Sequence, residues 1–187
     1  MRVLLDQLER SLDLEVYYLS LFTALTIPDI AGALDAANGR AKEEKYIRWY
    51  DEWVKPPPRF PYPHPLTGLP EQKPTNRLTG KDCYKFRCSL LHQGSSRPHY
   101  GSQFNRIIFF EPDAIGEVYD NVVNDMLQIN VAIFCKCMIR AAKEWLDKVE
   151  GTKRFKTNYA KFARYPPDGM PGVTFVLRNG RPIPVIG

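Results

Sequence analysis

The sequence predicts a mainly α-helical protein with a small β element near its C-terminal end. Three observations carry that expectation. Leucines and aromatics recur at three- and four-residue spacing through residues 2–54. The segment from Thr79 to Gly94 starts and stops on helix-capping residue types. Asn179-Gly180 is the strongest short signal for a β-hairpin. A chain of 187 residues, 44% hydrophobic and 25% charged, can bury one core, so global disorder is excluded. Residues 1–150 are expected to form a helical domain that includes a proline-rich loop at 55–78. Residues 151–187 add a basic linker and a hairpin to the same domain.

Each element follows from local pattern. Leu4, Leu5, Leu8 and Leu12, then Val16, Leu19, Phe22 and Leu25, predict helix over 2–26, with a break near Asp13. Pro28 suits the first turn of a further helix, which Asn38-Gly39 would stop. Residues 40–54 follow as helix, with Tyr46, Trp49, Tyr50 and Trp53 as a core stripe. Eight of the 16 prolines fall between Pro56 and Pro74, which excludes helix and central strand there. That loop reads either as a functional loop or as a stiff wrap over the core. Thr79 is an N-cap with Asp82 at the third helical position. Arg106–Phe110 reads as one additional short strand. Val118, Val122, Met126, Ile129, Ile133 and Cys137 predict one long helix over 114–149, ended by Gly151. Val173–Leu177 and Ile183–Ile186 would flank the terminal hairpin.

Charge is unevenly spread. Residues 1–135 carry 15 basic and 17 acidic side chains, residues 136–164 carry 9 and 3, and residues 165–187 carry 2 and 1. The excess of a +5 chain therefore sits in one stretch. It reads either as a solvated helix face or as an attractor of nucleic acid. Lys136, Arg140 and Lys143 share one face by their spacing of four and three. No apolar run approaches the roughly 20 residues of a membrane span, and Asp6 interrupts any signal-like start. A cytoplasmic protein with no membrane association is the expectation.

Few residues can do chemistry. Cys83, Cys88, Cys135 and Cys137 lack zinc spacing, and Cys135 and Cys137 on a helix point about 200° apart. They read as small core residues. His64, His92 and His99 have no partner at metal spacing, so no metal site and no cofactor are expected. His92 lies in the last turn of the 79–94 helix, where the dipole favours its charged form. Arg87 precedes it by five residues, an offset of about 140° on an ideal helix. The pair is expected to meet only if the helix end unwinds near Gln93-Gly94, or if two copies meet in a dimer. Arg87 can alternatively pair with Asp82, Glu111 or another carboxylate.

The run Lys81-Asp82-Cys83-Tyr84-Lys85-Phe86-Arg87-Cys88-Ser89-Leu90-Leu91-His92-Gln93-Gly94 resembles the Arg-x(4–6)-His signature of the HEPN superfamily. Those are all-helical domains of prokaryotic defence and toxin systems, many of them RNases. The resemblance is strongest over residues 79–97. It implies a HEPN-like helical bundle and a metal-independent endoribonuclease working as a homodimer. Arg87 and His92 would be catalytic, leaving 2′,3′-cyclic phosphate ends. Arg97 and the basic run, with Lys136, Arg140 and Lys143, would hold RNA. Tyr84 or Tyr100 would stack a base. An antitoxin or regulatory protein is a further implied partner. Active members commonly carry a polar residue after the Arg, where this chain has Cys88. The alternative is a non-catalytic helical module for protein interaction.

Overall fold

The computed structural model describes residues 1–55, 78–112 and 119–163, with two short backbone strands at 177–178 and 181–182. Its elements run α1 (Arg2–Asp13), α2 (Tyr17–Leu34), α3 (Glu43–Trp53), α4 (Gly80–Gln93), β1 (Arg106–Phe110), β2 (Tyr119–Val123) and β3 (Met126–Asn130). Then come α5 (Val131–Val149), α6 (Lys153–Tyr159), β4 (Leu177–Arg178) and β5 (Arg181–Pro182). The protein is mainly α-helical with a small β component, as its periodicity predicts.

The bundle forms around α2 and α5. The apolar stripe Leu5, Leu8 and Leu12 of α1 is buried. Phe134, Met138 and Ile139 of α5 are buried as well, as is Trp145 further along the helix. Trp49 meets Trp145 edge-on at 6.3 Å, which joins α3 to α5. The core stripe of α3 is borne out: Tyr46, Trp49 and Tyr50 are buried. Trp53 is half-buried, with the Lys148 ammonium 4.6 Å from its ring centre. Three of the four cysteines, Cys83, Cys135 and Cys137, are buried core residues, and Cys88 is partly exposed.

Several local expectations change. The break after Asp13 is present. Pro28, however, lies inside α2 rather than opening a new helix. It is buried there, so packing offsets the hydrogen bond that its missing N–H cannot make. α2 is also long and apolar enough to cross a membrane by length and composition, although half of that stretch is buried in the bundle. The helix expected over 114–149 begins only at Val131. Residues 119–123 and 126–130 are strands joined by Asn124 and Asp125, both left-handed at φ 48° and 59°. Two such residues in succession make the tight turn that hairpin strands require. Asn130 then caps α5, accepting from the Ile133 N–H at 3.1 Å.

β3 is the central strand, parallel to β1 and antiparallel to β2. Leu127 and Ile129 alternate inward, as a half-buried strand requires. Phe109 of β1 bridges α4 and α5, with ring centres 5.4 Å from Phe86 and 5.1 Å from Phe134. The expected linker after Gly151 contains α6, capped by Thr152 and docked on α2 through Asn158. β4 and β5 pair antiparallel, Leu177 with Pro182 and Arg178 with Arg181. The rest of the expected hairpin and the proline segment 56–77 lie outside the described residues.

Candidate functional site on helix α4

Helix α4 is held at both ends. The Thr79 hydroxyl accepts from the Asp82 N–H at 3.2 Å, and Gly94 ends the helix in the left-handed conformation at φ 65°. Gly80 lets the helix start against α3. A Cβ there would stand 2.5 Å from the Ile47 carbonyl oxygen, and the Gly80 N–H donates to Asp51 Oδ1 at 2.6 Å. Asp82 is 3% exposed. It accepts from Ser102 Oγ at 2.8 Å, from the Gln103 N–H at 2.9 Å and from Gln103 Nε2 at 2.7 Å. The N-terminal turn is therefore tied to the loop that carries Arg97 and Tyr100.

Arg87 and His92 meet within one chain. Arg87 Nη1 lies 3.1 Å from His92 Nε2. The expectation that one helix keeps them apart is corrected. The helix stays regular through Gln93, and the long arginine side chain spans the angular offset. Arg87 also reaches Asp29 of α2, with Nη2 2.7 Å from Oδ2. This contact is an ion pair close in distance but outside hydrogen-bond alignment. Both side chains are about four-fifths covered, with exposures of 20% and 19%, whereas His92 is exposed. Arg87 Nε is buried without a hydrogen-bond partner among the described residues.

The electrostatics follow from this burial. Burial pushes the Asp29 carboxyl up, and the Arg87 charge pulls in the opposite direction without cancelling it. Burial works against the Arg87 charge, and Asp29, Cys88 and Tyr46 together outweigh it, so the guanidinium is held more firmly protonated than usual. Tyr84 packs edge-on against Tyr46 with ring centres 5.3 Å apart. Burial first, and the neighbouring Cys88 second, push its phenol up to about 12. Cys83 is buried against the Tyr46 hydroxyl at 3.3 Å, and burial pushes its thiol up to about 12. Neither is a ready nucleophile.

The other candidate residues are distributed. Arg97 and Tyr100 are exposed on the loop after α4, and the His99 N–H donates back to the Lys85 carbonyl at 3.4 Å. Lys136, Arg140 and Lys143 do share one face, lining a groove of about 510 Å³ between α1 and α5. Glu9, Asp13, Glu144 and Asp147 line the same groove, so the three cations face four carboxylates. Lys143 is paired with Glu9 at 2.7 Å, and Arg140 donates to the Lys55 carbonyl. Among the described residues, no cluster of three His, Cys, Asp or Glu has metal-binding geometry.

Asp29 is the residue that sequence reasoning missed. It is the single charged residue in the 18 residues of α2. A lone acid in an apolar helix needs a partner, and that was the available signal. No protein-family model, curated protein or solved structure matches the chain.

Proposed function

We propose that this protein binds RNA and cleaves it without a metal, with His92 transferring the proton and Arg87 supplying the positive charge. The observation that carries this reading is the 3.1 Å contact between Arg87 Nη1 and His92 Nε2, at an exposed histidine. A general base must be reachable by substrate, and the group that stabilises the developing charge must stand beside it. In the reaction, an RNA 2′-oxygen bonds to phosphorus as the bond to the 5′-oxygen breaks. The 2′-OH proton passes to His92, and the leaving 5′-oxygen takes a proton from the protonated His92 of a second copy in a homodimer. The product is a 2′,3′-cyclic phosphate. Arg97 and Tyr100, exposed on the loop that follows α4, are the groups proposed to hold a phosphate and stack a base. The HEPN resemblance extends the reading to a cytoplasmic defence or toxin system with a regulatory protein partner.

A second reading has its own observation. Asp29 neutralises Arg87 in the folded chain, and Cys88 stands where a polar residue would assist. That favours a helical module that keeps the contact for structure and serves a protein partner. The two readings separate when purified protein is incubated with total RNA in EDTA. Cleavage with cyclic phosphate ends, reduced about 10²-fold or more by His92→Ala, supports the first. Intact RNA, or equal cutting by the variant, leaves the second.

A further inference from the structure

The structure assigns Asp29 a positioning role: through Arg87 it fixes which ring nitrogen of His92 carries the proton, and it holds the pair closed until a phosphate competes for Arg87. The tautomer stands on geometry alone. Its bearing on cleavage rests on the function proposed above.

The argument begins with donors and acceptors. A guanidinium has only donors and does not lose its proton in proteins. Nε2 of His92, 3.1 Å from Arg87 Nη1, must therefore accept. An accepting Nε2 carries no proton, so His92 is neutral in this arrangement with its proton on Nδ1. The lone pair that a general base would use is thus occupied by Arg87.

Asp29 explains why Arg87 stays there. The Arg87 side chain is about four-fifths covered, and its Nη2 lies 2.7 Å from Asp29 Oδ2. A covered cation without its counter-charge is strongly disfavoured and moves towards water. Asp29 offsets that charge at Nη2 while His92 meets Nη1, so the guanidinium is held by the carboxylate and the imidazole together. Other titratable groups near the pair are Cys88, 3.9 Å from Arg87 Nη1, Tyr84, and the buried Tyr46 of α3. None of the three supplies a counter-charge at neutral pH.

The clamp can open to one class of ligand. A phosphate oxygen carries negative charge and accepts from a guanidinium better than a neutral imidazole does. A phosphodiester arriving at exposed His92 would take the Nη1 donor. Nε2 would then be free to receive the 2′-OH proton. Substrate binding and unmasking of the base are the same event, while Asp29 keeps the other edge of Arg87 in place.

Long-range proton–nitrogen NMR of the imidazole rings tests this without any RNA. The chain has three histidines, and His92→Gln identifies the signals of His92. The parent protein, at a pH where His92 is neutral, should show a protonated Nδ1 and an unprotonated Nε2. Asp29→Asn should shift the population towards the Nε2–H form that free imidazole favours. Asp29→Glu, which keeps the charge but displaces it, should fall between the two. If Asp29→Asn does not fold, Asp29→Glu alone must loosen the tautomer relative to the parent. Inorganic phosphate added to the parent should move the His92 signals in the direction of Asp29→Asn. Unchanged His92 signals in either variant overturn the positioning role, and an absence of any response to phosphate overturns the opening step. Altered signals from a protein that does not cut RNA leave Asp29 in its role and refute the cleavage reading instead.

Discussion

Replacing Asp82 with Asn should weaken the fold by about 2–3 kcal/mol, because its carboxylate accepts four hydrogen bonds at a buried position. Oδ2 takes the Thr79 hydroxyl at 2.5 Å and Gln103 Nε2 at 2.7 Å, and Oδ1 takes Ser102 Oγ at 2.8 Å and the Gln103 N–H at 2.9 Å. Bonds to a charged acceptor contribute about 1.5–3 kcal/mol each, and neutral ones about 0.5–1.5 kcal/mol. Asn keeps the shape and can keep four partners once the Thr79 hydroxyl and the Gln103 amide turn. Four exchanges of charged for neutral bonds cost about 4 kcal/mol, and relief of carboxylate desolvation offsets part of that, leaving about 2–3 kcal/mol. In a chain of this size each kcal/mol moves Tm by about 2–4 °C, so the expected loss is about 4–12 °C at pH 7. Acid narrows the difference. Burial alone would push the Asp82 carboxyl up, but the bonds from Thr79, Gln103 and Ser102 outweigh it and hold it below the usual carboxylate range. Its contribution is therefore complete above the unfolded value of about 3.9 and is lost as pH falls through the lower folded value. Thermal unfolding followed by circular dichroism at pH 7 and pH 3 measures both effects. A variant within 1 °C of the parent at pH 7, on the order of 0.5 kcal/mol or less, refutes the buried-carboxylate account. So does a gap that stays constant into acid.

Two further perturbations probe the scaffold and the basic face. Gly80→Ala puts a Cβ 2.5 Å from the Ile47 carbonyl oxygen and should cost about 1–3 kcal/mol by forcing α3 and α4 apart. An unchanged midpoint in urea unfolding would show that the close crossing is not needed. Replacing Lys136, Arg140 and Lys143 together with Gln should lower the salt dependence of RNA binding by about one phosphate contact rather than three. Lys143 already pairs with Glu9, and Arg140 already bonds the chain at Lys55. A slope reduced by about three would mean that all three cations leave those partners for RNA.

The readings that the sequence determined by itself are those settled within one or two turns of chain. Thr79, Gly94 and the strand Arg106–Phe110 were legible because a cap, a left-handed stop and a short continuous apolar run act through immediate neighbours. The buried stripe of α3 was legible for the same reason. Val122, Met126 and Ile129 misled because a spacing of three and four fits a helix, although these residues lie in strands. What decided their state was the left-handed pair Asn124-Asp125 and the chance to pair β3 with β1 in parallel. Pro28 sits inside α2 because burial against the bundle outweighs a missing hydrogen bond, and local propensity holds no information about that burial. The pair Arg87 and His92 was visible as residue types, but their contact was not, since an ideal-helix offset ignores the reach of an arginine side chain. Asp29 belongs to the tertiary structure altogether. Only the packing of α2 beside α4 brings a carboxylate to 2.7 Å from that guanidinium, and a charge removed from water must find its counter-charge wherever the fold supplies one.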